Sequence, residues 1–190
     1  MTRTRISLML LASALTLASC DAGDKATQAN TAQTNEAEKA AGEKTIAASL
    51  DQNSRFFQAA KSVGLDSTLA GPGPYTVLVP DDAAFAKLPA GTTETLMKPE
   101  SRAQLTGILT YHILPGVVLA EDIANAIDNA KGKAVLATMG GATLTATKEG
   151  DKIVLTDGNG AKATVTGADD RFSNGVVHHI DTVLTPSQPS

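Results

Sequence analysis

Three histidines and one aspartate are the residues of this 190-residue chain whose types and spacing could support chemistry. His178 and His179 are adjacent in the segment NGVVHHIDTVLTP, Asp181 follows two residues later, and His112 lies upstream in TYHILPG. Imidazole and carboxylate groups bind metals, and histidine transfers protons near neutral pH. These side chains could therefore form a metal site, an acid–base couple or hydrogen-bonded parts of a core.

Strand periodicity separates the two adjacent histidines. Neighbouring residues on a strand point to opposite faces, so His178 and His179 cannot bind one ion together. The face of His178 is predicted to point inward, because it also carries three apolar residues (Val176, Ile180 and Leu184). His112 ends an apolar helical stripe and is also predicted to face the core. We favour hydrogen-bonded structural roles for His112 and His178 over a metal pair or an acid–base couple.

Other signals of catalysis are weak. A glycine-rich phosphate loop and a Gly-x-Ser-x-Gly nucleophile motif are both missing from the sequence. The DGNG segment at 157–160 could be part of a calcium loop, but it lacks the downstream ligands and favours a hairpin turn. The sequence therefore predicts a protein that is not an enzyme and needs no metal or cofactor.

Composition also restricts the partners. The chain has a net charge of -4, only 3% aromatic residues, no tryptophan and no long basic run. Nucleic-acid binding proteins need basic patches, and many also use aromatic stacking. We therefore expect neither a nucleic-acid partner nor an electrostatic attachment to membranes.

The N-terminus predicts export and lipid attachment. Two arginines precede the short apolar run ISLMLLASALTLAS, which is typical of a signal peptide at residues 1–19. The last four positions of this region, Leu17 to Cys20, resemble the bacterial lipobox, so lipid is expected on Cys20. Residues 20–44 contain no Val, Leu, Ile or aromatic residue after the cysteine, which predicts a disordered tether. The protein is thus expected on the periplasmic or cell-surface side of the envelope, touching the membrane only through its lipid.

The remaining pattern predicts an α+β fold. Helices come first, with one early strand at YTVLV (residues 75–79), and short strands with period-two alternation follow from about residue 134. Ser54 is a suitable N-cap and Gly64 a suitable end for the first long helix. We expect the early strand to pair with the final strand, VVHHIDTVL.

Three motifs together resemble the fasciclin domain family. YTVLVPDDAAF is similar to the family's first homology box, LTYHILPG to its Tyr-His motif, and NGVVHHIDTVLTP to its second box. They occur in the family's order and span a domain at residues 45–186, followed by a short tail at 187–190. The resemblance implies a wedge of mainly antiparallel β-strands with helices packed around it. It also implies adhesion and protein binding outside the cell, without catalysis.

The resemblance assigns roles to individual residues. Four residues match structural positions of the second box (Asn174, Gly175, His178 and Asp181). Tyr111 and His112 match the Tyr-His motif, which is implicated in integrin contact in animal relatives. Asp169 is followed by Asp170, whereas the family commonly has Ile or Val there, so adhesion through that pair is not expected.

These observations predict a lipid-anchored module that binds an envelope or matrix protein. The candidate contact surface combines the Tyr-His motif with the apolar residues of the next turn (Tyr111, His112, Val117, Val118 and Leu119). Whether the valines and the leucine are exposed or part of the core is open at this point. The alternative is a carrier of an apolar small molecule such as a carotenoid, a function known for a few family members.

Overall fold

The computed structural model of the chain describes residues 43–187, and the predicted signal peptide, Cys20 and most of the predicted tether lie outside this range. The helices in this range are α1 (Ile46–Ser49), α2 (Arg55–Val63), α3 (Leu65–Ala70), α4 (Asp82–Ala86), α5 (Thr92–Leu96), α6 (Arg102–Tyr111) and α7 (Ala120–Asn129). A 3-10 turn at Pro99–Ser101 leads into α6. The strands are β1 (Tyr75–Pro80), β2 (Ile113–Pro115), β3 (Ala134–Ala137), β4 (Thr143–Glu149), β5 (Lys152–Thr156), β6 (Lys162–Phe172) and β7 (Gly175–Ile180).

Local signals set the ends of the early helices. The hydroxyl of Ser54 accepts a hydrogen bond from the N–H of Phe57 at 3.2 Å, which caps α2. Gly64 ends the same helix in the left-handed region, at φ 84°. Asp81 caps α4 through its carboxylate, which accepts from the N–H of Ala84 at 2.6 Å. These boundaries agree with the sequence prediction.

The strands form one seven-stranded sheet in the order β2-β1-β7-β6-β5-β4-β3. The early strand β1 and the final strand β7 are neighbours, as predicted, and they run parallel, while the other pairs are antiparallel. The two edge strands approach each other, because the N–H of Met139, just after β3, donates to the carbonyl oxygen of Ile113 in β2 at 2.8 Å. The sheet is therefore nearly closed into a barrel with helices around it, and the α+β prediction is confirmed.

Strands β1 and β7 lie between two hydrophobic cores. Val77 and Val177 belong to a core shared with the early helices, whereas Leu78 and Ile180 belong to a second core inside the sheet. Helix α7 covers this second core. The sequence predicts one inward face for the final strand, but the structure buries apolar residues on both faces. The reason is tertiary: helices cover one side of this strand pair and the curved sheet covers the other.

Within residues 43–187, every helix is too short or too polar to cross a membrane.

Candidate functional site

The predicted apolar turn is a loop at residues 116–119, between β2 and α7. Val117 is the most exposed side chain of the loop, with 52% of its surface accessible, and Val118 and Leu119 are half-buried. Val118 packs against the core inside the sheet. The loop therefore uses one side to hold itself to the domain and presents Val117 to the outside, which answers the question that the sequence left open.

A buried threonine holds the start of this loop. The hydroxyl of Thr76, in β1, donates to the carbonyl oxygen of Gly116 at 2.8 Å and accepts from the N–H of Val118 at 2.8 Å. Thr76 is completely buried. One side chain thus satisfies backbone groups on both sides of Val117 and fixes the direction of its side chain.

His178 supports the same loop from below. Its ring is fully buried, and its Nδ1 accepts from the N–H of Asp169 at 3.2 Å. The ring then carries its proton on Nε2, which donates to the carbonyl oxygen of Val118 at 2.8 Å. His178 is therefore a bridge between β6 and the loop.

Two carboxylates hold the end of the loop, where α7 begins. Asp169 lies at an irregularity in β6 with φ 63°, and its Oδ1 accepts from the N–H of Ala120 at 2.8 Å. Asp122 accepts from the N–H of Leu119 at 3.0 Å. Both acceptors satisfy donors at the start of a helix, where negative charge is favourable. Asp169 thus has a structural task in this chain.

The sequence analysis missed Thr76 and Asp169 as supports of the loop. Thr76 is one polar position in an otherwise apolar strand, which is a signal that a buried hydroxyl has a specific partner. Asp169 precedes the second box and was considered only as part of an adhesion pair. The neighbouring Asp170 instead pairs on the surface with His179, with Oδ2 and Nε2 3.0 Å apart.

The structure corrects the prediction that Tyr111 and His112 contribute to a contact surface. Each side chain is only 1% exposed, so neither can touch a partner in this conformation. The hydroxyl of Tyr111 donates to the carbonyl oxygen of Thr143 at 2.8 Å. Burial raises the pKa of this phenol, so it remains a hydrogen-bond donor. The candidate surface is reduced to the loop at 116–119.

His112 links α6 to the C-terminal segment. Its Nδ1 donates to the carbonyl oxygen of Ile108 at 2.8 Å, and its Nε2 accepts from the N–H of Leu184 at 3.1 Å. The ring packs edge-on against Phe56, with centroids 6.3 Å apart. Burial lowers the pKa of His112 from 6.5 to about 4, so the ring is neutral at pH 7.

Stability is expected to depend on pH because of His112. The unfolded chain takes up a proton on this histidine below pH 6.5, whereas the folded chain does so only near pH 4. The contribution is complete above pH 6.5 and is lost as pH falls toward 4, which lowers the free energy of unfolding by up to about 3 kcal/mol. Urea unfolding at a series of pH values measures this fall.

The matched variants are His112→Gln and His179→Gln, one buried and one half-exposed. The first should lose most of the pH dependence between 6.5 and 4, and the second should keep it. An unchanged pH profile in His112→Gln would show that another group is responsible.

The buried histidines have no nitrogen free for a metal. Both ring nitrogens of His112 and of His178 are occupied by backbone groups. Among residues 43–187, no three His, Cys, Asp or Glu side chains are placed so that they could share a metal ion. The DGNG segment forms the β5–β6 turn, in which Asp157 accepts hydrogen bonds from the N–H groups of Asn159 and Ala161 at 2.9 and 2.8 Å.

Asn174, at the start of the second box, joins three segments that are distant in sequence. Its side-chain oxygen accepts from the N–H of Ile46 at 2.8 Å. Its amide nitrogen donates to the carbonyl oxygens of Leu69 and Gly71 at 2.8 and 2.7 Å. The next residue, Gly175, lies against the backbone of Tyr75, where a Cβ would overlap the carbonyl oxygen.

Asp181 closes the other end of β7. Its Oδ1 accepts from the N–H of Thr164 at 2.8 Å and from the hydroxyl of Thr182 at 3.0 Å, and its Oδ2 lies 3.7 Å from Nζ of Lys87. Burial alone raises the pKa of this carboxyl, but the hydrogen bonds and the lysine together hold the pKa below its usual value. Protonation of Asp181 should therefore destabilise the fold only at a pH below the interval of His112.

The sequence profile of the Fasciclin domain matches residues 51–186. The chain belongs to the fasciclin domain family. Protein sll1483 of Synechocystis sp. is 38% identical to it over 141 residues, which are 74% of this chain and 71% of that protein. Cell surface glycolipoprotein MPB83 of Mycobacterium bovis is 37% identical over 124 residues, 65% of this chain and 49% of that protein.

A solved structure shows the same fold. It contains a FAS1 domain pair from the insect cell adhesion molecule Fasciclin I, with a TM-score of 0.53 and 28% identity to this fasciclin domain. The match covers 68% of this chain and 44% of the insect chain. The chain thus spans about half the length of MPB83 and less than half of the insect domain pair. The family and the fold predicted from the sequence are confirmed.

Proposed function

We propose that this chain is a lipid-anchored fasciclin module that binds a protein of the cell envelope or matrix through the loop at 116–119, and that it is not an enzyme. The observation that carries the proposal is the exposed apolar side chain of Val117 on a loop whose backbone is hydrogen-bonded to Thr76, His178 and Asp169. An apolar side chain held outward in this way suits a contact with another protein.

Rigidity favours binding through this loop. Ordering a flexible loop on association costs conformational entropy, and a loop that is already ordered avoids that cost. The polar groups on both sides of Val117 already have partners inside the domain. A partner therefore needs to supply mainly an apolar surface for Val117.

Two further facts support the location outside the cytoplasm. The sequence has a signal-like N-terminus that ends at Cys20, and one relative is named a cell surface glycolipoprotein. A tether between the lipid and the domain would let the domain reach partners away from the membrane.

The structure gives less support to the carotenoid carrier. One cleft of about 500 Å³ is large enough for part of a polyene, but it is open to solvent and lined by Gln104, Gly107, Ile108, Thr185 and Pro186. Ile108 and Pro186 are the only apolar side chains in this lining, whereas pockets for apolar ligands are lined mainly by apolar and aromatic groups. We therefore favour protein binding.

The proposal predicts a position-specific crosslink. A photo-reactive amino acid is placed at Val117 in the protein expressed in its own host, and the matched control places it at Val135, an outward side chain of β3 that is 69% exposed. We expect a discrete crosslinked partner from position 117 only. The added substitution Val117→Asp is expected to weaken binding of the identified partner about tenfold or more, because it puts a charge into an apolar contact.

Two results would contradict the proposal. The same crosslinked band from positions 117 and 135 would show that contact is not specific to the loop. Full affinity of the Val117→Asp protein for the partner would show that the partner binds elsewhere.

A further inference from the structure

A second surface feature lies far from the loop in sequence, where the end of α2 meets α5 and the start of α6. It is a cleft of about 140 Å³ lined chiefly by Val63, Leu96, Met97, Lys98, Arg102 and Leu105. Met97 also lines a neighbouring cleft of about 340 Å³, so the two are continuous at this side chain. Together they make a groove with one narrow end and one wider end.

The narrow end has an apolar floor. Leu96 and Leu105 belong to the helical core and are almost buried, and they form the bottom of the cleft. Met97 lies above them with 39% of its surface exposed, although its side chain is apolar. Methionine is flexible and polarisable, and it is frequent where a surface adapts to apolar ligands.

The charges at this end are all positive. Lys98 and Arg102 line the narrow cleft together with Ser62, and its lining contains no acidic residue. Among residues 43–187, every ion pair within 4.0 Å involves other cations. The guanidinium of Arg102 donates to the carbonyl oxygen of Val63 at 3.3 Å, which holds it at the cleft and leaves other N–H groups free.

We propose that this groove binds a small amphiphilic carboxylate, an alkyl chain of about eight to ten carbons with one carboxylate head. The head contacts Arg102 and Lys98, because a guanidinium can donate two parallel hydrogen bonds to a carboxylate. The chain covers the two leucines and crosses Met97 into the wider cleft. The narrow cleft has the volume of about five water molecules, which is enough for the head and the first carbons only.

The second cleft fixes the direction of the ligand. Glu94 and Arg55 both line it, so it offers no excess of positive charge to a carboxylate. A carboxylate placed there would also be repelled by Glu94. The head therefore belongs at the Lys98 and Arg102 end. This proposal does not depend on the protein contact at Val117, because the two surfaces share no residue.

The test is an NMR titration of the purified, ¹⁵N-labelled protein with sodium octanoate. For about ten heavy atoms in an open groove, we expect a Kd on the order of 1 mM. Shifts should concentrate at Val63, Met97 and Arg102. Octanol and octylammonium are matched ligands with the same chain and a neutral or positive head, and they should bind at least tenfold more weakly.

A pair of double variants checks the assignment of the head. Lys98→Gln with Arg102→Gln should weaken octanoate binding at least tenfold, and the control, Lys133→Gln with Lys152→Gln, removes the same charge from exposed positions elsewhere and should have no effect. Equal binding of octanol and octanoate would overturn the proposal, as would unchanged octanoate affinity in the first double variant. Shifts spread outside the groove would also overturn it, and this result requires no variant.

Discussion

Replacing Asn174 by alanine is expected to lower the free energy of unfolding by about 4 kcal/mol. The substitution removes hydrogen bonds to three backbone groups, the N–H of Ile46 and the carbonyl oxygens of Leu69 and Gly71. Asn174 is buried, so these groups lose their partners in a place that water reaches poorly. Each unsatisfied buried group costs about 1 to 3 kcal/mol. The loss is a large part of the total stability of a typical domain.

The measurement is equilibrium unfolding in urea, followed by circular dichroism. The matched control is Asn159→Ala, since Asn159 also bonds main-chain oxygens, those of Thr185 and Pro186, but is exposed. Water can replace these bonds, so the control should lose about 1 kcal/mol or less. Equal losses in the two variants would mean that burial of Asn174 is not what makes its bonds important.

The variant Gly175→Ala is expected to have an effect of similar or larger size, roughly 4 kcal/mol or more. A Cβ at this position would overlap the carbonyl oxygen of Tyr75 and would lie 2.8 Å from its carbonyl carbon. Both atoms belong to the backbone of β1, so they cannot move aside without separating β1 from β7. That pairing crosses the middle of the sheet and extends from Tyr75↔Gly175 to Pro80↔Ile180.

The control for this variant is Gly150→Ala, in the β4–β5 turn. Gly150 has φ 62°, and a Cβ there would point into open space. It therefore tests the cost of the backbone conformation alone, which is about 1 kcal/mol. Thermal unfolding of both proteins should show a much larger decrease in Tm for Gly175→Ala. A similar decrease in the two would show that the backbone of β1 can give way.

These two positions also matter for the proposed binding loop. They begin β7, and His178 lies three residues after Gly175 on the same strand. Because His178 supports the carbonyl group of Val118, a shift of β7 relative to β1 would disturb the loop even though neither residue contacts it. Loss of stability and loss of binding are therefore expected together in Gly175→Ala, whereas Val117→Asp should affect binding alone.

Features that depend on neighbours along the chain could be predicted from the sequence. Ser54 and Gly64 mark the ends of α2 because a hydroxyl cap and a left-handed glycine act within a few residues. Alternating apolar residues gave the strands from β3 onward, since the side chains of a strand point to opposite faces. The three motifs identified the family and therefore the fold, and the family assignment is confirmed.

The composition of the binding surface was decided only by the tertiary structure. Tyr111 and His112 belong to the predicted surface by motif, yet they are buried, because α6 packs on the sheet with these two side chains inward. The supports of the loop come from Thr76, Asp169 and His178, which bond to residues 42, 49 and 60 positions away. Contacts over such separations leave no periodic signal in the sequence, because they form only when separate strands and helices come together. The sequence by itself determined the family, the fold class and most elements, whereas packing determined which of the candidate residues reach the surface.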